Sequence, residues 1–461
     1  MFSTRFRHMN APFAFAFSRL NRLLTSDEPG EKGGAASRTA RFLTVCYSIE
    51  GAAAGMLFYT AFVLSKGFGA SAMLVALAGM CMPAGLLIAY PVGYFFEGRR
   101  KNALFRTSSV MALLAAAGFA FFPAEQGITI PLGPLGTIAL PSGSTFIIWM
   151  FLYAAGEAVK FPARFAVMQT NFSYRERSRF FGVLYLFFSL MNLIIMFGAG
   201  MLLDIDKSWY RVLLPGAMLF SATSSFIYSF VPASPLPGKV VNPFGLRHLA
   251  DPIKRLWYMA VREKYFMGFE LGYFVYGMGY MFTLAILPIY YTEKLGARYG
   301  QFGITGMILS SALLMSPIAG RWADRSTPTR LASTAFLMNS LFPLLLLLCA
   351  TPLHGYFAHV WFSLAVVVDV MAWNMGPIFF SAQRDASTYI GINATLTGLR
   401  AIVAFTAAGF VMQFTDSFML VLGIAFLLYI TGFIIMYIVH RSCIRASKFA
   451  STMSGRFHFT G

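Results

Sequence analysis

The stretch Tyr153-Ala-Ala-Gly-Glu157-Ala-Val-Lys160-Phe-Pro-Ala-Arg164 puts a phenol, a carboxylate and two cations inside an apolar run from Ser144 to Thr170. At 100° per residue these four side chains fall within about 60° of one another on a helix face. A charged side chain at mid-bilayer costs ~2.5–3.5 kcal/mol even on a lenient insertion scale. Three on one stripe therefore need partners, water or a substrate. Burial and a neighbouring cation act on a carboxyl's proton affinity in opposite senses, which suits Glu157 to proton exchange. Lys160 and Arg164 suit an anionic group, and Arg164 stays charged at any working pH. Two readings stand side by side: a polar wall of a central cavity, or a self-neutralised cluster that holds helices together.

Such a stripe requires a membrane around it. The chain has 461 residues, of which 57% are apolar and only 12% charged, against about 25% charged in an ordinary soluble domain. About 20 mostly apolar residues cross a bilayer core. By that ruler twelve helices are predicted, at 42–64, 71–96, 103–123, 144–170, 179–201, 210–231, 265–290, 299–321, 331–351, 357–381, 390–413 and 417–440. The fold class expected is an all-α membrane protein of twelve transmembrane helices in two pseudo-symmetric six-helix halves. The division is a tail at 1–41, a first half at 42–231, a basic linker at 232–264, a second half at 265–440 and a tail at 441–461. Within the first tail, Pro12–Leu24 reads as a basic surface helix or a disordered stretch rather than a signal peptide, and Thr25–Ser37 as a flexible linker.

Lys and Arg set the orientation. The side bearing both termini carries 28 of them, and the opposite side only Lys66, Lys207, Arg211, Lys294 and Arg298. Both termini are therefore expected in the cytoplasm, with the chain in the cytoplasmic (inner) membrane. The net charge of +18 follows from this topology and from contact with anionic lipids; it does not point to nucleic acid. One loop on the opposite side, Ala124–Gly143, lacks Lys and Arg and sets two β-prone runs about a Pro-Gly turn, as in a small hairpin or an irregular apolar loop. Four scattered cysteines and six histidines without ligand spacing offer no metal site, and no nucleophile–base pattern suggests an enzyme. No cofactor is expected.

The halves echo one another. Leu86-Leu-Ile-Ala-Tyr-Pro-Val-Gly93-Tyr-Phe-Phe-Glu97 and Leu313-Leu-Met-Ser-Pro-Ile-Ala-Gly320-Arg-Trp-Ala-Asp324 close the second and eighth segments, each running into a basic loop. With Arg99 and Arg100 after the first and Arg325 after the second, these motifs resemble the signature loops of the major facilitator superfamily. Arg175-Glu-Arg177-Ser-Arg179-Phe-Phe-Gly182 and the looser Gln383-Arg384-Asp385 resemble that family too. The resemblance implies a cytoplasmic gate at Gly93, Glu97, Arg99, Arg100, Gly320, Asp324 and Arg325. It also implies that helices one, four, seven and ten line a cavity. Tyr153 stands where proton-coupled drug exporters of the family keep an Arg, and the antiporter and sugar-porter motifs are missing, so no subfamily follows.

On that map the intramembrane acids Glu50, Glu157, Glu270 and Asp369 all lie on cavity helices and are the candidates for proton coupling. Glu50 and Glu270 fall nearer the cytoplasmic ends, where water is expected to reach them. Lys160, Arg164, Arg400, Tyr153, Tyr276 and Trp373 are the candidate substrate contacts. Arg400 shares a face with Asn393 and Thr397, and either reaches the cavity or pairs with Asp369. The function expected is secondary active transport of a small organic solute, anionic and proton-coupled, by alternating access in a monomer with lipids as its surroundings. Export of hydrophobic compounds or drugs, or a non-transporting assembly role in the same fold, are the other readings.

Overall fold

In hydrocarbon a backbone has no partner but itself, so apolar segments of this length become helices. The computed structural model describes residues 31–96, 99–122, 128–131, 137–140, 143–171, 174–231, 241–243, 248, 250–315, 326–381 and 386–456. The membrane helices are α1 (Thr39–Gly67), α2 (Ala72–Phe95), α3 (Asn102–Phe121), α4 (Ser144–Asn171), α5 (Tyr174–Ile205) and α6 (Tyr210–Tyr228). The second set is α7 (Lys264–Lys294), α8 (Tyr299–Leu313), α9 (Pro328–Leu347), α10 (Pro352–Ser381), α11 (Ala386–Thr415) and α12 (Phe418–Arg456). Among the described residues ten helices are long and apolar enough to cross a membrane. Helices α6 and α8, the latter cut short by residues outside the description, fit the remaining two of twelve.

Two boundaries differ from expectation. The chain is already helical at Glu31, inside the segment read as a flexible linker, and α12 runs on to Arg456 through the expected tail. Extending an existing helix adds one bond per residue fixed, whereas starting one is costly, so helices overrun the membrane. Strands β1 (Ile128–Pro131) and β2 (Thr137–Leu140) pair antiparallel with Ile128 opposite Leu140. Within Ala124–Gly143 the described residues thus form a hairpin, at the end of the bundle opposite Glu31 and Arg456.

The halves repeat in geometry. A π-turn over Val63–Gly67 ends α1, and another over Tyr290–Lys294 ends α7. Gly69 (φ 58°) follows the first and Gly296 (φ 62°) the second, in the left-handed region that glycine tolerates. Then α2 opens at Ala72 and α8 at Tyr299. Each pair is spaced by 227 residues, as are Ser65 and Thr292, whose hydroxyls hydrogen-bond at 3.2 Å. Equivalent residues that touch each other must lie on the axis relating the halves.

At the hairpin end the halves are latched. Phe62 stacks on Phe302 with centroids 4.3 Å apart, and Lys66 Nζ donates to the Ala297 carbonyl at 2.5 Å. From α5, the Asp204 carboxylate accepts the backbone N–H groups of Tyr299 and Gly300 at 2.8 and 2.9 Å, capping α8 across the interface. Losing such a cap costs ~1 kcal/mol, about fivefold in population. Asp204→Ala is therefore expected to open this end more often, read as faster alkylation of a cysteine placed at Ser65; an unchanged rate would show that the cap does not hold the latch.

Along the sides, α2 packs on α11 and α5 on α8. Gly398 lies so close to the Leu87 backbone that an added Cβ would sit 2.4 Å from its nitrogen. Small residues let membrane helices approach in this way. The apolar window of α7 is 72% buried against 28% in α5 and in α12, so α7 is a core helix while α5 and α12 face lipid.

Candidate functional site

The stripe on α4 meets α1 and α6. Lys160 has no exposed surface; its Nζ lies 2.7 Å from Glu157 Oε1 and 3.0 Å from Glu50 Oε1. It also donates to Ser225 Oγ at 3.1 Å and Ser221 Oγ at 3.4 Å, so every proton of the ammonium has a taker. Arg164 pairs with Glu50 Oε1 and stands 3.7 Å from Glu157 Oε2. Ser224 donates to Glu50 at 3.2 Å, and Ser221 donates to Glu157. Two cations thus face two carboxylates, and the group is neutral with all four charged. Desolvation makes a buried charge affordable only when it is paired and hydrogen-bonded, and this network meets that condition.

One side of the cluster is open. Glu50, Tyr153, Glu157, Arg164 and Ser221 line a cavity of about 370 Å³. Its remaining wall is apolar, from Ala53, Leu57 and Phe58 on α1, Met82 on α2 and Phe188 on α5. Arg164 keeps 26% and Glu157 17% of its side-chain surface exposed, so these two face the cavity while Lys160 stands behind them.

Glu50 and Glu270 were placed where water reaches, yet they are 6% and 2% exposed. Packing between helices encloses Glu270 and leaves Glu50 only an edge on the cavity, which a position along one helix axis does not reveal. Glu50 is a direct partner of both cations rather than a peripheral acid. Ser221, Ser224 and Ser225 were missed altogether. Their signal was present in Ser221-Ala-Thr-Ser224-Ser225, small polar residues at helical i, i+3 and i+4 spacing in a membrane segment.

The second half holds its polar residues differently. Tyr276 donates to Asp369 Oδ2 at 3.0 Å and accepts from Asn339 at 2.7 Å, and Tyr273 donates to the Asp369 carbonyl at 3.3 Å. Arg400 NH1 donates to the Tyr273 carbonyl at 2.5 Å rather than to a carboxylate, with Asp369 and Glu270 the acids whose charges reach it. Gly277 makes the space: a Cβ there would lie 2.3 Å from the guanidinium carbon. Glu270 Oε1, Asp369 Oδ1 and Arg400 Nε have no hydrogen-bond partner among the described residues. Trp373 is half-buried against the main apolar core.

Of the expected gate, Gly93 faces Pro162 of α4 closely enough that an added Cβ would stand 3.4 Å from that ring, Arg99 donates to the Asn242 carbonyl at 3.0 Å, and Arg100 is exposed. Glu97, Gly320, Asp324, Arg325 and the Gln383-Arg384-Asp385 motif lie outside the described residues. No group of three or more potential metal ligands occurs among the described residues.

No curated protein matches the chain. Solved structures of the same fold include the human organic anion transporter MFSD10 (TETRAN), at 15% identity and a TM-score of 0.62, covering 87% of this chain and 99% of that one. A peptide transporter POT in complex with sulfate aligns at 12% identity and a TM-score of 0.63, covering 90% and 98%. A POT family transporter in complex with 5-aminolevulinic acid aligns at 12% identity and a TM-score of 0.63, covering 87% and 95%. The family model of the Major Facilitator Superfamily matches residues 43–405, so a chain of two six-helix halves with a polar cavity on α1 and α4 belongs to that superfamily of transporters.

Proposed function

We propose that this protein is a secondary active transporter that moves a small organic anion by alternating access, coupled to protons. The observation that carries the reading is the neutral four-charge cluster with Glu157 and Arg164 facing one cavity. Protonating Glu157 leaves two cations against one carboxylate, a net positive site beside the cavity. An anionic group then replaces the lost carboxylate charge, so proton and substrate bind together. The apolar wall of Leu57, Phe58, Met82 and Phe188 suits an organic body attached to that group. On this reading Lys160 supports the site from behind. Tyr153 lines the cavity. Arg400, Tyr276 and Trp373 contribute from the second half, with Asp369 and Glu270 as further titratable groups.

The termini end faces the cytoplasm, the hairpin end faces outward, and the latch at Phe62, Lys66 and Asp204 belongs to the inward-facing state. Gly93, Arg99 and Arg100, with Glu97, Gly320, Asp324 and Arg325, form the opposing gate, and 232–264 joins two rigid halves. Similarity to an organic anion transporter and to a peptide transporter in complex with sulfate accords with this charge class, although at such identities the likeness is one of fold.

The apolar wall also favours a second reading, export of hydrophobic compounds. A thermal-shift screen of purified protein against organic anions and neutral drugs separates them, because a ligand that binds only the folded state raises its stability. Selective stabilisation by anions, growing as pH falls, is expected. Broad stabilisation by neutral drugs would favour the exporter. No ligand and no flux in proteoliposomes would favour a non-transporting role.

A further inference from the structure

Between the halves runs a twelve-residue helix, Asp251–Arg262, that the transport site does not use. Its first turn is set by Pro252 and by Asp251, whose carboxylate is engaged by His248 at 2.8 Å and Lys254 at 3.4 Å. The His248 hydrogen bond, then Lys254, holds the Asp251 carboxyl below its usual range.

At 100° per residue the helix has three sides. Leu256 and Met259 pack on a buried cluster of Tyr90, Phe266, Tyr389 and Ile392, where α2, α7 and α11 meet. Ile253, Trp257 and Val261 share a second side and are 67%, 73% and 68% exposed. Lys254, Arg255 and Arg262 mark the third. Arg255 lies over the Tyr94 ring at 5.9 Å and Arg262 over Tyr258 at 4.4 Å.

Exposed to water, the second side would strand three large apolar side chains on one face. Chain continuity fixes its surroundings: only Glu263 separates Arg262 from Lys264, the first residue of the membrane-spanning α7. The helix therefore lies at the level where the bilayer ends. A basic helix with Trp, Ile and Val on one side is the form that binds in the plane of a lipid interface. Its bases Lys254, Arg255 and Arg262, with Lys264 following, outnumber the acids Asp251 and Glu263, which complements anionic headgroups.

We propose that Asp251–Arg262 is a lipid-binding strap. It inserts Ile253, Trp257 and Val261 into the leaflet at the termini end and sets its bases among anionic headgroups, while Leu256 and Met259 tie it to the seam between the halves. Membrane charge thereby acts on the element that joins the two moving bodies.

The test uses the full-length protein in nanodiscs of phosphatidylcholine, with or without phosphatidylglycerol. Emission of Trp257 is taken as the difference between wild type and Trp257→Phe, and is quenched by lipids brominated near the glycerol or by aqueous acrylamide. The strap predicts quenching by brominated lipid, increased by phosphatidylglycerol, with that increase at least halved in Lys254→Gln/Arg262→Gln, since each base near such a surface is worth about fivefold. Quenching by acrylamide alone would leave the face in water and overturn the proposal, as would protection from both quenchers, the sign of a covering protein. Equal lipid quenching with and without phosphatidylglycerol would overturn the headgroup role. Val261→Ser, with Trp257 intact, gives a second reading of depth: weaker lipid quenching is expected, and none of these readouts depends on transport.

Discussion

Lys160→Met should strip the protein of much of its stability, and adding Glu157→Gln should return most of it. In the single variant Glu50 and Glu157 are left with only Arg164 between them, and Ser221 and Ser225 lose the cation they accept from. Removing one partner of a buried pair costs about 3–5 kcal/mol, because the other charge stays desolvated. The double variant keeps the tight Arg164–Glu50 contact and a neutral total. Replacing a whole buried pair with groups of similar volume is often close to neutral. Thermal unfolding of the three proteins in one detergent decides the matter. A Lys160→Met protein as stable as wild type would mean that the ammonium is not anchored as the geometry indicates.

Glu157→Gln alone addresses function. The amide cannot release a proton, so the site is held permanently in its net positive form. Uptake by proteoliposomes should then lose its pH dependence and fall from accumulation to equilibration. Binding of an anion identified by the thermal-shift screen should tighten at alkaline pH, where the wild-type carboxylate competes for Arg164. A charge-assisted hydrogen bond is worth ~1.5–3 kcal/mol, or about tenfold and upward in affinity. Retention of wild-type accumulation with unchanged pH dependence would remove Glu157 from the coupling step and move attention to Asp369 or Glu270. The direction follows from linkage: the proton that favours the anion is bound as pH falls.

Much of the fold could be read from the chain because a membrane reduces structure to a few rules. Apolar length marks each helix, and the 28 bases on one side against 5 on the other give the orientation proposed for it. The Gly93 and Gly320 motifs announced the repeat that the π-turns later bore out in geometry. The site was legible by residue type but not by partnership. Tyr153, Glu157, Lys160 and Arg164 were placed on one face by helical periodicity alone. Glu50, 110 positions from Lys160 in sequence, becomes its partner only through the way α1, α4 and α6 come together. Periodicity also says nothing about depth beneath a cavity wall, which is why Lys160 and Arg164 share a helix face yet differ in exposure. Arg400 taught the same lesson: the hole that receives it is defined by the absence of a side chain at Gly277 on another helix.

The hairpin, finally, dates the two halves against each other. From Ser65 to Thr292, from Gly69 to Gly296 and from Ala72 to Tyr299 the spacing holds at 227. From Asn102 to Pro328 it is 226, yet from Ser144 to Pro352 it drops to 208. The surplus lies in the α3–α4 connection, where β1 and β2 stand. Had one six-helix ancestor been copied in tandem, the two descendants would be expected to keep length where they touch across their shared axis and to drift where they do not. The hairpin is then an acquisition of the first copy, or a loss by the second, made after duplication. Grafting the short Leu348–Thr351 connection in place of residues 122–143 would restore the parental outline without disturbing the axis.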